Sequence, residues 1–429
     1  TTVVDAYLTP VLRTYLERLA ERASAAGLPA PSIMQSSGGV LPIGESAEHA
    51  VWSVMSGPAG GVIGAARLAG RERRRLALTF DMGGTSCDVA LVSAGEPART
   101  SATVIAGHPI HLPMLDVATV SAGGGSIAWA DSGGALRVGP QSAGARPGPA
   151  SYRLGGTLPT VTDADVVLGR LPVDAPLGGR IHLDAAAARA AVGGLARELG
   201  LGLEECAEGI LTVAVQEMVR ALRLVSVERG EDARDATLIA FGGAGPLHAC
   251  AVADALGVGE VVVPPAAGVL AALGLVMAGE RRDYVQTVLA PVDGGVGLTA
   301  LLRPLRERAG REIPGAPQSA SADLRYAGQS HALTVHWDPE APEAALAEAF
   351  HAAHRERYGD ADPVRPVEAV SLRLAAERPG ADPDLPGSGT ATTRTGPVVI
   401  AMDGATCWVG AGWTARRDAV GAIRMERTG

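Results

Sequence analysis

The stretch from Leu76 to Val92 constrains this chain more than any other. An apolar run, Leu76 to Phe80, leads into Asp81-Met82-Gly83-Gly84-Thr85-Ser86-Cys87-Asp88, and a second apolar run, Val89 to Val92, leads out. The pattern predicts strand, glycine turn, strand. Gly83 and Gly84 are free to take positive φ and carry no Cβ, so the backbone can press against a ligand. Successive N–H groups in such a turn make a concave anion site. Asp81 at the strand end can hold Mg²⁺ or orient a water, and Thr85 and Ser86 add hydroxyl donors for phosphate oxygens. An ordinary hairpin closed by a Gly-Gly turn accounts for the same residues, and both readings stand at this point.

The wider chain supplies context. Its 429 residues leave room for two or three domains and a large core. Aromatic residues are only 3 % of the total, so that core must be built from Ala, Val, Leu and Ile. All 37 basic side chains are Arg, and the net charge of −9, with acids spread along the chain, argues against a nucleic-acid surface. Cys87, Cys206, Cys250 and Cys407 lie far apart with no CxxC pair, which excludes a zinc framework or disulfide scaffold and fits a reducing cytoplasm. The opening residues carry no basic and apolar leader pattern. The uncharged stretch Val261–Ala278 has the length of a membrane span. Pro264-Pro265, Gly268 and Gly274 divide it into a short strand, a turn and a short helix, so no membrane partner is expected.

Further glycine elements recur. Residues 3–27 carry a helical repeat through Leu8, Val11, Leu12, Tyr15, Leu16 and Leu19, stopped by Gly27 and Pro29. Ser56-Gly57-Pro58-Ala59-Gly60-Gly61 reads as a glycine-rich loop opening a helix, its small residues permitting close packing. Val120 to Trp129 reads as strand, triple-glycine turn, strand. Gly139 to Tyr152 is too rich in Gly and Pro for regular structure. Residues 184–200 and 204–229 read as helices. Leu238–Phe241 reads as a strand running into Gly242-Gly243-Ala244-Gly245-Pro246 and a helix from Leu247, an arrangement that faces anions or nucleotides. Beyond residue 285 the texture changes to strands near Ala322–Tyr326, His331–Trp337 and Val367–Leu374. A helix over 342–358, a Pro/Gly/Thr-rich tract over 377–397 and a last β segment from Val398 complete it.

Taken together, these stretches resemble the hydantoinase A/oxoprolinase family. The resemblance rests on Ser56 to Gly61, Asp81 to Ser86 with Asp88, Ala122-Gly123-Gly124-Gly125-Ser126, Gly139 to Tyr152 and Thr162-Asp163-Ala164-Asp165. It extends to Phe241 to Ala249, Arg325-Tyr326-x-Gly328-Gln329 and the pair His354 and Tyr358-Gly359. It implies an α/β fold with an actin-like, ribonuclease H-like ATPase lobe and a C-terminal α+β or mostly β domain. The implied division is 1–50 as the remainder of an N-terminal lobe, 51–285 as the actin-like domain and 286–429 as the C-terminal domain. ATP and Mg²⁺ are the implied cofactors. Asp81 would be the metal residue, with Asp81 and Thr85 the catalytic pair. Gly83, Gly84, Thr85, Ser86 and Asp88 would bind phosphate, and Gly242, Gly243, Ala244 and Gly245 the adenosine.

The implied activity is that of a subunit opening a cyclic amide, of the hydantoin or 5-oxoproline type, by phosphorylating the amide oxygen. Alternatives are a subunit of an acetone- or acetophenone-type carboxylase, or a catalytically incomplete actin-like module. A B-type hydantoinase subunit is the implied partner, in an oligomeric enzyme. The chain departs from the family pattern at Cys87, where Thr is usual, and at Asp165, where Asn is common. It also carries one Asp-x-Gly-Gly-Thr turn where the family has two. A fragment, inactive as an isolated chain, is therefore expected.

Other reactive side chains have plainer readings. His248 opens a helix, where packing is favoured over substrate contact. Asp163 and Asp165 are expected to cap a turn rather than act as a carboxylate pair. His108 and His111 have no third metal ligand nearby. Arg146 suits a phosphate or a surface ion pair equally. Cys87 lacks the His and Asn context of a nucleophile.

Overall fold

The computed structural model describes residues 1–174, 176–179, 181–292, 295, 297–383 and 391–428. Two sheets organise them. The larger has nine strands, in the order Val117–Val120, Cys87–Ser93, Leu76–Met82, Thr237–Phe241, Glu260–Val263, Ile423–Arg427, Trp413–Arg417 and Thr392–Thr395, with Glu96–Pro97 added beside Cys87–Ser93. Leu76–Met82 pairs antiparallel with Cys87–Ser93 and parallel with Thr237–Phe241. Thr237–Phe241 continues parallel to Glu260–Val263. Every residue of Thr237–Phe241 is buried, as is Leu76 to Phe80. Their uninterrupted apolar runs are what a strand covered on both faces requires.

The helices Leu203–Val225 and Gly245–Leu256 pack against this sheet and share one core with it. Leu203–Val225 buries Cys206, Ile210, Ala214, Met218, Leu222 and Val225 at helical spacing. Ala185–Leu199 starts at Asp184, whose side chain accepts the Ala186 and Ala187 N–H groups at 2.8 and 3.0 Å. It stops at Gly200 in the left-handed region.

The second sheet has six strands, in the order Ser32–Met34, Val40–Pro42, Glu280–Pro291, Val367–Arg378, Gln318–Tyr326 and Leu333–Trp337. Alternation sets its inward face, with Ala320, Ala322, Leu324 and Tyr326 buried and the residues between them less so. The helices Leu298–Glu312 and Glu343–Tyr358 pack on that face through Leu302, Leu346 and Phe350.

Several sequence expectations need correction. The strands that close the chain do not extend a C-terminal unit over 286–429. Thr392–Thr395, Trp413–Arg417 and Ile423–Arg427 complete the nine-stranded sheet, and residue 286 falls inside the strand Glu280–Pro291. Ser56–Arg71 is helical from Ser56 onward, so its glycines lie in the helix rather than in a loop before it. Gly139 to Ser142 are regular after all, ending the strand Leu136–Ser142. The first helix, Thr2–Ala25, packs through Leu12, Leu16, Leu19 and Ala20 on Ile33, Ile43 and Ala47 while Val11 and Tyr15 are exposed. Its apolar stripe is therefore split. No helix among the described residues is long and apolar enough to cross a membrane.

Candidate active site

Asp81 and Asp88 face each other in register across the hairpin. Burial, with the charge of Asp88 adding to it, pushes the Asp81 carboxyl up to about 7. Burial also raises Asp88, opposed by a 2.5 Å hydrogen bond donated by the Thr119 hydroxyl. Among the described residues no cationic side chain offsets either carboxylate. Two adjacent acids held above their ordinary range suit a divalent cation, which would relieve both burial and repulsion. No group of three or more His, Cys, Asp or Glu side chains converges among the described residues. A Mg²⁺ here would take most of its ligands from water and phosphate, its usual habit. The neighbouring Cys87 thiol is raised well above its ordinary value by burial and then by Asp88 and Asp81, which suppresses the thiolate.

Three glycine segments meet around this pair. The turn after Asp81 is closed by the Gly83 N–H donating to Ser86 O at 3.1 Å. Neither Gly83 nor Gly84 takes a positive φ, contrary to the expectation from sequence. Glycine serves close approach instead, since a Cβ at either position would point into open space. The second segment, Gly123–Gly125, docks on the first: the Gly124 and Gly125 N–H groups donate to the Gly83 and Gly84 carbonyls at 3.0 and 2.6 Å. A Cβ on Gly123 would stand 2.6 Å from the Thr85 backbone. The third, Gly242 to Gly245, leaves the strand Thr237–Phe241. Gly242 sits at φ +79°, and a Cβ there would lie 2.4 Å from Asp81 Oδ1 and from the Met82 carbonyl. Ala244 N–H donates to that same carbonyl at 2.9 Å. On the other side, Gly61 of the helix Ser56–Arg71 leaves 3.1 Å between its would-be Cβ and Asp81 Oδ2. Asp81 is thus gripped by two glycines from distant parts of the chain.

The expected residues divide into two sets. Gly83, Gly84, Gly243 and Ala244 border a cavity of about 370 Å³. Gly242 and Gly245 lie behind it, packed on Asp81 and the Phe80 carbonyl. Thr85 is exposed and Ser86 half-buried at the tip of the turn, outside the cavity wall. The cavity is lined both by glycine backbone and by the apolar side chains of Leu171, Pro172, Leu177 and Leu247. It also takes residues that the sequence reading did not assign to a site, Tyr152, Met402 and Thr406 among them. A larger cavity, about 620 Å³, lies beside Trp52 and Arg281–Val285. Its walls include the ion pairs of Arg281 with Asp283 and Arg282 with Glu45, while the buried Arg282 Nε and Nη1 donate no hydrogen bond among the described residues.

The remaining candidates lie outside this cavity. Asp163 accepts from the N–H groups of Ala150, Ser151 and Thr160 and from the Thr160 hydroxyl, at 2.8 to 3.1 Å, within a capping box. Asp165 is buried 3.4 Å from His248 Nε2, itself 1 % exposed, so His248 packs inward. His108, His111 and Arg146 are exposed.

The model of the Hydantoinase/oxoprolinase family matches residues 1–284. The chain is 37 % identical over 393 residues to the caprolactamase subunit alpha of Pseudomonas jessenii, covering 87 % of this chain and 56 % of that one. It is 38 % identical over 364 residues to 5-oxoprolinase 1 of Arabidopsis thaliana, covering 78 % of this chain and 28 % of that one. It thus spans little more than half of the first relative and under a third of the second. Among solved structures, the ATP-dependent caprolactamase of Pseudomonas jessenii superposes with a TM-score of 0.87 at 32 % identity, over 100 % of this chain and 70 % of that one.

Proposed function

The chain belongs to the hydantoinase/oxoprolinase family, and from that premise we propose that it binds ATP and serves as the nucleotide-handling subunit of an enzyme that opens a cyclic amide. The observation that carries this reading is the mixed lining of the cavity bordered by Gly83 and Gly84. Its bare glycine backbone suits a polyphosphate, and its apolar side chains suit a planar base. The strand order supports an actin-like lobe: three antiparallel strands from Val117–Val120 to Leu76–Met82, then Thr237–Phe241 and Glu260–Val263 in parallel.

Within this reading each residue has a bounded task. Asp81, backed by Asp88, would hold Mg²⁺ or orient water beside the glycine turn. Gly83 and Gly84 admit phosphate because no Cβ stands in the way. Thr85 and Ser86 reach phosphate from the exposed tip. Gly243 and Ala244 lie along the sugar and base. ATP, when bound, supplies the phosphoryl group that converts the amide oxygen into a leaving group for attack by water. Positioning and charge neutralisation are what such transfer asks of the protein. The substrate class is a hydantoin, 5-oxoproline or related lactam, and a B-type subunit is the proposed partner.

Gly243→Val tests the nucleotide assignment. A Cβ there meets nothing nearer than the Gly404 carbonyl at 3.9 Å, so the fold tolerates it while a branched side chain projects towards the cavity. Titration calorimetry with a non-hydrolysable ATP analogue should show affinity reduced by about tenfold or more at an unchanged Tm. Unchanged affinity removes this loop from the site. The chemistry is tested by ADP release on adding cyclic amides to the chain with its partner subunit. No stimulation by any lactam or hydantoin defeats the hydrolase reading.

A further inference from the structure

One wall of the cavity is built by an excursion from the larger sheet. Between its edge strands Thr392–Thr395 and Trp413–Arg417, which pair antiparallel, the chain leaves as a separate hairpin, Val398–Met402 with Ala405–Val409. The hairpin runs back to the glycine loops. At its tip Gly404, at φ +71°, meets Gly268 so closely that a Cβ on Gly268 would stand 2.3 Å from the Gly404 carbonyl oxygen. Its second strand is anchored to the helix Gly245–Leu256, where the Cys250 thiol lies 3.5 Å from the Trp408 carbonyl. Arg170, after the helix Val161–Val167, sits 5.7 Å from the Trp408 ring. Ala401, Met402, Ala405 and Thr406 then line the cavity together with Leu171 and Leu177. The hairpin itself lies beyond residues 1–284, the stretch that the family model matches.

We infer that the hairpin 398–409 is the base-recognition wall of this chain's nucleotide site, setting which nucleoside triphosphate is bound without touching its phosphates. The inference rests on the ATP reading above. At its tip the hairpin meets the loop assigned above to sugar and base, the Gly404 carbonyl lying 3.9 Å from a would-be Cβ on Gly243. Met402 supplies an adaptable, polarisable thioether for a ring face. Thr406, 8 % exposed, supplies the hairpin's hydroxyl at the base edge. Ala401 is exposed and lines the cavity, so a larger side chain there would compete with a base for space.

Two probes separate base recognition from phosphate binding: a non-hydrolysable ATP analogue and inorganic tripolyphosphate, each titrated with Mg²⁺ into the wild-type chain, Ala401→Trp and Met402→Ala. Ala401→Trp should weaken the analogue by about tenfold or more and Met402→Ala by several-fold, with tripolyphosphate affinity and Tm unchanged. Thr406→Val should alter the ratio of adenosine to guanosine triphosphate affinity. Analogue affinity unchanged in both Ala401→Trp and Met402→Ala overturns the hairpin's role and leaves the ATP reading intact. Equal loss of both probes also overturns it, since the hairpin would then act on the fold. A wild-type chain that binds tripolyphosphate but not the analogue any better overturns it as well. If the wild type binds neither probe, the ATP reading itself fails and takes the inference with it.

Discussion

Asp81→Asn should lower Mg²⁺-dependent ATP turnover by about 10²-fold or more while making the protein more stable at pH 8. Both effects follow from one carboxyl group. Its ordinary value is 3.8, and burial with the Asp88 charge lifts it to about 7 in the folded chain. Between those values the folded state holds a proton that the unfolded state has released. Stability therefore falls as pH rises from about 4 to about 7, and the loss is complete above that. Asn carries no charge to bury, so the variant escapes this loss. Near pH 4 the folded group is protonated and the unfolded one about half so, and the gain should almost vanish. Turnover has the opposite pH dependence, because a cation or water is held by the ionised form. Wild-type activity at saturating nucleotide should be half-maximal near pH 7 and level off about one unit above it, with the whole profile moved to lower pH when Mg²⁺ binds first. Thermal melts at pH 4 and pH 8 and steady-state ATPase assays check both halves. Wild-type turnover in Asp81→Asn sinks the assignment of Asp81, and an equal Tm at pH 8 sinks the claim that its charge is held at a cost.

Local chemistry is legible in the sequence, and long-range return is not. The hairpin around Asp81, the strand into Gly242 and the helix after it follow from apolar runs broken by glycine, and each signal sits within a short window. Asp163 as a cap is readable because Thr160 stands three residues before it. The strand Glu280–Pro291 is concealed because it opens on Glu280, Arg281, Arg282 and Asp283, whose charges pair with one another and with Glu45. The helix Leu298–Glu312 is masked by Pro304 within it. Nothing near Val398 announces that its hairpin lies against Gly268, far earlier in the chain. Nor does the sequence around Gly61 reveal that this glycine abuts Asp81. Such contacts are set by sheet order, which local periodicity does not encode.

Gly274→Val should destabilise the chain by roughly 3 kcal/mol or more, the upper end of what overpacking costs, because no side chain can move to accommodate it. A Cβ at this position would lie 1.8 Å from the Gly60 carbonyl oxygen, and both atoms belong to helix backbone. The helices Ser56–Arg71 and Leu270–Met277 touch along Gly60, Gly64 and Gly274, so a branched residue must drive the axes apart. The consequence reaches the site through one residue. Gly61 follows Gly60 and fills the space between Phe241 and the Asp81 carboxylate. Moving the first helix opens that space to water and loosens Asp81. A lowered Tm should therefore come with weaker binding of the Mg²⁺–ATP analogue in the fraction that stays folded, measured well below the melting transition. Leu275→Val is the matched control: Leu275 is exposed on the same helix, so the change spares the contact and should leave Tm and affinity near wild type. If Gly274→Val melts with the wild-type protein, the close helix contact does not exist in solution. If it melts early yet binds the analogue normally, the link from this helix pair to Asp81 is broken, and Asp81 must be held by Gly242 alone.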